Sequence, residues 1–196
     1  MRTLKKRRDW AKRIPTLNAD DLIFIDESGA NLRMASTYAR SEGGQRIKMP
    51  VPFNRGPQLS MIGAISTKKV EAALYGEWST NGDIFLTFIE KQLMPKLKSN
   101  HIVVMDNIKF HMQEAVAKAI QSKGAKVIFL PPYSPDFSPI ENMWSKIKNT
   151  LRRFAPRSLK SFKKIIRIAF KQISKNDLIG WFKHCGYRIG LNRILL

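Results

Sequence analysis

The hydrophobic residues of this chain follow two patterns, short continuous runs and stripes at helical spacing. Apolar runs over residues 22–25, 102–105 and 127–130 are typical of central strands that are covered on both faces. Two further strands are predicted over residues 46–49 and 58–66. Residues 70–75 predict another strand or an extension of its neighbour.

Segments with apolar residues at helical spacing lie between these strands and after the last of them. The helices are predicted over residues 82–93, 112–122, 139–154 and 159–173. Asn81 and Ser158 are suitable N-caps, and proline at position 139 favours a helix start because its missing N–H had no helical partner. Strands that alternate with helices predict the α/β class, with a mixed sheet flanked by helices.

Three acidic residues stand where these elements meet. Asp26 and Asp106 follow apolar runs, and Glu141 lies in the first turn of the helix after Ser138. A carboxylate at the end of a strand lies at the edge of the sheet, where open α/β sheets bind ligands. Three carboxylates in one place repel each other unless cations lie between them, and Mg²⁺ prefers oxygen ligands.

Each of these acids also has a purely structural interpretation. An aspartate after a strand often begins a turn. Ser138-x-x-Glu141 is the pattern of a capping box, in which the glutamate binds the backbone of its own helix. The three acids together favour chemistry more than any one of them does.

Charge favours a polyanionic partner. The chain has 35 Lys and Arg against 15 Asp and Glu, a net charge of +20. Residues 1–13 carry +6 and residues 146–196 carry +13, so the body between them is almost neutral. Two basic ends around an acidic centre indicate nucleic acid rather than a membrane, the plain alternative being a solvated basic surface.

Three segments resemble the catalytic motifs of DDE transposases of the mariner superfamily, in its bacterial insertion-sequence branch. They are Asp26-Glu-Ser-Gly29, Asp106-Asn-x-x-x-His111 and Pro-Pro-Tyr-Ser-Pro-Asp-Phe-Ser-Pro-Ile-Glu141, with thirty-four residues between Asp106 and Glu141. The resemblance implies an RNase H-like fold with a mixed five-stranded sheet. The catalytic domain is expected over residues 21–155, between a basic lead (1–20) and a basic helical extension (156–196).

The resemblance also implies divalent-metal-dependent DNA cleavage and strand transfer. Asp26 would bridge two Mg²⁺ ions, for which Mn²⁺ substitutes, while Asp106 and Glu141 would hold one ion each. We therefore expect the three carboxylates to lie in one coordination sphere. Asn107 and His111 match the second motif and are expected to support the metal ligands or to position DNA.

Two more acids match the motifs but are ranked below the ligands. Asp136 belongs to the third motif, and Glu27 follows Asp26 directly. Successive side chains on a strand point to opposite faces, so Glu27 is expected to point away from the site.

Basic residues near the acids are predicted to contact DNA phosphates. Glu141, Ser145, Lys148 and Arg152 share one flank of a helix, so the two cations lead away from the acidic centre. The other predicted DNA contacts lie between the first two strands: Arg46, Lys48 and Arg55.

The expected partners are transposon ends, target DNA and a second copy of the chain. Only 25 residues precede Asp26, too few for a helix-turn-helix module, so a separate polypeptide of that kind is an expected partner. No apolar run approaches the ~20 residues of a membrane span. The single cysteine and the lack of a secretory signal favour a cytoplasmic, nucleoid-associated protein in bacteria.

Two other functions remain open at this point. The chain could be a DNA-binding remnant of a transposase that has lost activity. It could also be an RNase H-like hydrolase that cuts nucleic acids with the same three acids.

Overall fold

A mixed sheet of five strands forms the centre of the fold. The computed structural model describes residues 2–36, 38–48, 50–54, 56–106 and 110–190. The strands are β1 (Leu22–Asn31), β2 (Gln58–Ile65), β3 (Val70–Gly76), β4 (Ile102–Met105) and β5 (Lys126–Phe129). They lie in the order β3-β2-β1-β4-β5. The first three form an antiparallel meander, and β1, β4 and β5 run parallel.

Within the described residues, six α-helices flank this sheet. They are α1 (Arg2–Arg13), α2 (Gly82–Phe88), α3 (Phe110–Gln121), α4 (Pro139–Phe154), α5 (Leu159–Lys171) and α6 (Lys175–His184). A π-helical turn and a 3₁₀ turn extend α2 to Lys96. One hydrophobic core lies between the sheet and α1, α4, α5 and α6, and a second lies between the sheet and α2 and α3.

The predicted mixed five-stranded sheet flanked by helices is confirmed, and so are the helix starts at Asn81 and Ser158. Both side chains accept a backbone N–H of the first turn. Two strand predictions are wrong. Residues 46–48 lie outside any strand. The first strand does not end at Asp26 but continues to Asn31, because β2 supplies backbone partners along its whole length.

Helix α4 lies across β1 and β2, and one glycine permits this close approach. Gly63 of β2 is the antiparallel partner of Asp26. A Cβ atom at Gly63 would lie 2.9 Å from Cε of Met143 and 2.9 Å from Cη2 of Trp144. The indole of Trp144 therefore occupies the space where a side chain would otherwise be.

Both ends of the described chain pack into the same core as α4. Trp10 of α1 and Ile14 directly after it are buried, and Phe182 and Tyr187 are buried at the other end. The rings of Phe182 and Tyr187 meet Phe24 of β1 edge to face, at centroid distances of 5.4 and 5.2 Å. The division into a lead, a catalytic domain and an extension stays a prediction, although all three parts share one core.

Among the described residues, no helix combines the length and the apolar character that crossing a membrane requires.

We predict that Gly63→Ala destabilises the protein by about 1–3 kcal/mol, because the added methyl group overlaps two buried side chains of α4. Gly180→Ala is the matched control. Gly180 lies within α6 with nothing near its added Cβ. Alanine there should stabilise the protein by about 0.5–1 kcal/mol, since glycine disfavours helix. Denaturant unfolding measures both, and equal stability of Gly63→Ala and wild type would contradict the prediction.

Candidate active site

Two aspartates lie side by side where the parallel part of the sheet opens. Ile25 and Met105 form the last residue pair between β1 and β4. The next residues are Asp26, which stays paired with β2, and Asp106, which follows the end of β4. Neighbouring parallel strands in register point their side chains to the same face. Both acids were expected at the edge of the sheet. They lie there because β4 ends at Met105, so the pairing between β1 and β4 stops just before them.

Glu141 enters the site from the first turn of α4. Among the residues that the structure describes, the Ser138 side chain makes no cap hydrogen bond, and its backbone carbonyl instead accepts the N–H of Glu141 at 3.2 Å. The capping-box interpretation is therefore wrong. The inward face of α4 is fully buried, and its packing fixes the helix so that Glu141 lies on the exposed flank. The buried residues are Ile140, Met143, Trp144, Ile147 and Leu151.

The three carboxylates act on each other electrostatically. Burial raises the pKa of Asp26 to about 7, and the charges of Glu141 and Asp106 contribute to this rise. Burial also raises the pKa of Glu141, and the charge of Asp106 adds to this effect. The pKa of Asp106 is raised by burial. Ionising all three acids is therefore less favourable here than it is for carboxylic acids in water, and a positive charge beside them would offset this.

Trp144 provides a hydrogen bond that favours the ionised form of Asp26. Its indole Nε1–H donates to Oδ2 of Asp26 at 2.9 Å, which opposes the rise of the aspartate pKa. The helical spacing of apolar residues within 139–154 accounts for Trp144 only as a core residue. The available signal was chemical, since a buried indole N–H requires an acceptor.

A cavity of about 460 Å³ opens beside Asp106 and Glu141. The rest of its wall is the proline-rich segment, residues 131–138, which joins β5 to α4. The positive charge of Lys148 lowers the pKa of Glu141 against the larger effect of burial, so Lys148 lies on the acidic side of α4. Such a site can hold a cation together with part of an anionic substrate.

The donor set suits a hard divalent cation, because carboxylate oxygens are the ligands that Mg²⁺ prefers. In the described part of the chain, however, no group of three or more His, Cys, Asp or Glu residues is assembled closely enough to hold a metal. The common coordination sphere of Asp26, Asp106 and Glu141 stays a prediction.

The other residues of the motifs have different positions. Asn107 lies outside the described residues, and His111 lies in α3 with its side chain outside them. Glu27 lines a separate cavity of about 620 Å³. Asp136 forms an ion pair with Arg7 of α1 at 2.8 Å, a contact that the sequence did not indicate.

Two of the predicted DNA contacts, Arg46 and Lys48, are exposed on the irregular segment between β1 and β2, and Arg55 lies outside the described residues. Arg157 supports this segment, since its guanidinium donates to the carbonyl oxygens of Leu32 at 2.9 Å and Met34 at 3.2 Å. The DNA-binding role of these cations stays a prediction.

Comparison with known proteins agrees with this geometry. A family model described as DDE superfamily endonuclease matches residues 21–166. The transposable element Tc3 transposase of Caenorhabditis elegans is 26% identical over 184 residues, which cover 88% of this chain and 55% of that protein. The chain thus spans little more than half the length of this curated relative.

Solved structures of the Mos1 transposase share the fold. A pre-cleavage Mos1 transpososome aligns with a TM-score of 0.77 and 15% identity, over 94% of this chain and 59% of that one. The mariner Mos1 paired-end complex with Mg aligns with a TM-score of 0.73 and 16% identity, over 94% and 59%. A corresponding Mos1 complex was solved with Mn. These alignments confirm the expected RNase H-like fold.

We predict that the metal-free protein loses stability as pH rises from about 4 to about 7. The folded-state pKa of Asp26, about 7, exceeds its unfolded value near 3.9. The stabilisation is therefore complete below the unfolded value and is lost as pH rises through the folded one. Asp26→Asn should reduce this pH dependence, because asparagine still accepts the Trp144 hydrogen bond without ionising.

Unfolding in EDTA at pH 4.5 and pH 7.5 tests this prediction. Asp136→Asn is the control. Arg7 lowers the pKa of Asp136, so the effect of Asp136 on the free energy of unfolding changes with pH only below this range. An unchanged pH dependence in Asp26→Asn would contradict the prediction.

Proposed function

Since the chain belongs to the DDE superfamily of endonucleases, we propose that it catalyses metal-dependent cleavage and strand transfer of DNA during transposition. The observation that carries the proposal is the electrostatic coupling of Asp26, Asp106 and Glu141, two of which, Asp106 and Glu141, line one cavity. All three lie within the matched residues 21–166. The likeness to the Tc3 transposase supports transposition as the setting of this chemistry.

Asp26, Asp106 and Glu141 would hold the two proposed Mg²⁺ ions, for which Mn²⁺ would substitute. When bound, such ions activate the attacking oxygen and stabilise the charge on the leaving oxygen. A cation favours the ionised carboxylates and so reverses the pKa increase that burial produces. Trp144 restrains one oxygen of Asp26, which orients the carboxylate towards the site.

Lys148 and Arg152 are proposed to guide the DNA backbone away from the acids. Lys148 lies close enough to Glu141 to influence its pKa, and Arg152 follows one turn later on the same helix. Asn149 accepts a hydrogen bond from Arg152 at 2.9 Å, which orients the guanidinium. Arg46, Lys48 and Arg55 are the further proposed phosphate contacts.

Transposon ends and target DNA are the proposed substrates, and a second copy of the chain and a helix-turn-helix polypeptide are the proposed protein partners. The complexes of Mos1 with transposon ends support the DNA partners. The detailed match of the third motif supports a bacterial insertion-sequence origin, and with it a location at the nucleoid.

Asp106→Asn should lower the rate of strand cleavage by at least about 100-fold, because the variant loses several kcal/mol of charge stabilisation at the metal site. Folding and DNA binding should persist, and the melting temperature of the metal-free protein should rise as repulsion falls. Cleavage of labelled transposon ends with Mg²⁺ provides the measurement, with the exposed Asp83→Asn as the control. Cleavage by Asp106→Asn at the wild-type rate would exclude the assignment, and cleavage of RNA strands in hybrids instead would favour the hydrolase.

Replacing Lys148 and Arg152 together by alanine should weaken DNA binding and reduce its salt dependence. Removing one cation that neutralises a phosphate lowers the slope of log K against log salt by about 0.9. The control replaces Lys91 and Lys123, two exposed cations in the layer of α2 and α3 on the other face of the sheet. Equal slopes for the two double variants would show that Lys148 and Arg152 are ordinary solvated cations.

A further inference from the structure

The proline-rich segment, residues 131–138, determines how Glu141 reaches the site. It forms much of the cavity wall beside Asp106 and Glu141 and ends at the residue before α4. Three of its eight residues are prolines without an N–H group, so its own backbone offers few hydrogen bonds. Its regular structure is a short 3₁₀ turn from Pro135 to Phe137. The conformation of this segment must therefore depend on donors from elsewhere.

Arg7 of α1 supplies most of these donors. Its Nη1 donates to the carbonyl oxygen of Tyr133 at 2.8 Å, to Oγ of Ser134 at 2.9 Å and to Oδ1 of Asp136 at 2.9 Å, and its Nη2 donates to Oδ2 of Asp136 at 2.8 Å. The guanidinium also lies 5.0 Å from the ring centroid of Phe137. One side chain thus contacts four residues of the segment with the planar fork that only arginine has.

Tyr187 anchors the same segment from the other end of the chain. Its hydroxyl donates to the carbonyl oxygen of Phe137 at 2.8 Å and accepts the indole N–H of Trp10 at 3.3 Å. Tyr187 is buried, so this hydrogen bond is shielded from water. The segment is therefore fixed from both sides, by α1 and by the residues after α6.

The backbone of the segment requires such support. Tyr133 has a φ of 56°, in the left-handed region that residues other than glycine seldom adopt. Conformations of this kind persist where the surroundings determine them. The carbonyl oxygen of Tyr133 is one of the acceptors of Arg7, so the arginine binds the residue whose conformation is least favourable on its own.

We propose that Arg7 is a positioning residue of the active site, with Tyr187 as its second support. Together they hold residues 133–137 in the conformation that places Glu141 beside Asp106. This inference rests on the proposed function of the three acids. Both residues lie outside residues 21–166, so parts of the chain beyond the family match belong to the catalytic unit.

A plain surface ion pair would behave differently. The Asp136 side chain is 51% exposed, and exposed ion pairs contribute little to stability. If Arg7 served stability alone, its loss would change cleavage only as far as it changed folding. A positioning role instead predicts a large effect on metal binding and on the mobility of the segment, with a small effect on melting temperature.

The test compares Arg7→Met and Arg7→Lys with Arg8→Met in the 196-residue chain. Arg8 is an exposed neighbour on the same helix, so Arg8→Met removes the same charge without touching the segment. Hydrogen exchange of the amides of residues 133–142 is measured without metal. Mn²⁺ affinity is then measured by electron paramagnetic resonance, and Mg²⁺-dependent cleavage is measured as kcat and half-saturating Mg²⁺ separately.

We expect Arg7→Met to accelerate exchange in residues 133–142 and to weaken Mn²⁺ binding by about 10- to 100-fold, the usual effect of losing a residue that orients a metal ligand. Arg7→Lys should recover only part of this, and Arg8→Met should match wild type. Should Arg7→Met fail to fold, Asp136→Asn weakens the Arg7 contact from its other partner and Tyr187→Phe removes the second support of the segment; each should accelerate the same exchange.

Wild-type exchange and Mn²⁺ affinity in Arg7→Met, or equal losses in Arg8→Met, would overturn the proposal. Failure of the proposed function would have a different signature. In that case Asp106→Asn would retain the wild-type Mn²⁺ affinity and cleavage, whereas hydrogen exchange would still report whether Arg7 holds the segment.

Discussion

The hydrogen bond from Trp144 to Asp26 connects the packing of this fold to the chemistry of its site. The indole lies over Gly63, the strand partner of Asp26, so α4 contacts the sheet at the residue that carries the acid. A largely buried carboxylate without a donor would be costly, and the indole N–H offsets part of that cost. Glu141 lies one turn earlier on the same helix. One packing contact therefore orients two of the three acids.

Local patterns were sufficient to predict the mixed sheet and the positions of α2, α3, α4 and α5, but they did not predict α1 or α6. The short apolar runs became β4 and β5, but only β4 is buried as a central strand. The prediction of a central strand is wrong for β5, which lies at the edge of the sheet with its apolar side chains half-buried. The failure at residues 46–49 has a physical cause, since a strand needs a partner as well as apolar residues. Ile47 is exposed and no strand pairs with the described residues beside it. The capping box and the metal ligand were two interpretations of the same pair, Ser138 and Glu141. Only the observed contacts of Ser138 excluded the capping box.

The features that sequence reasoning missed all join distant parts of the chain. Arg7 contacts residues more than 120 positions away, and Trp144 contacts Asp26 across 118 positions. Periodicity describes which face of an element is apolar but not which element covers it. A basic amino-terminal segment predicts polyanion binding from its charge alone, and nothing in its composition indicates that one of its arginines is turned inward.

The charge distribution of the chain acquires a specific meaning from this arrangement. The nearly neutral body contains three acids whose pKa values are raised, and the net positive charge lies in the first 13 and last 51 residues. A DNA phosphate held by those basic parts would be repelled by ionised carboxylates nearby. A divalent cation between the carboxylates and the phosphate would attract both. It would therefore offset the repulsion among the carboxylates and the repulsion between the carboxylates and the phosphate. Metal binding and DNA binding at this site are therefore expected to favour each other. Burial disfavours the ionised carboxylates when no metal is bound, and it also strengthens their attraction to a bound cation, which increases this coupling.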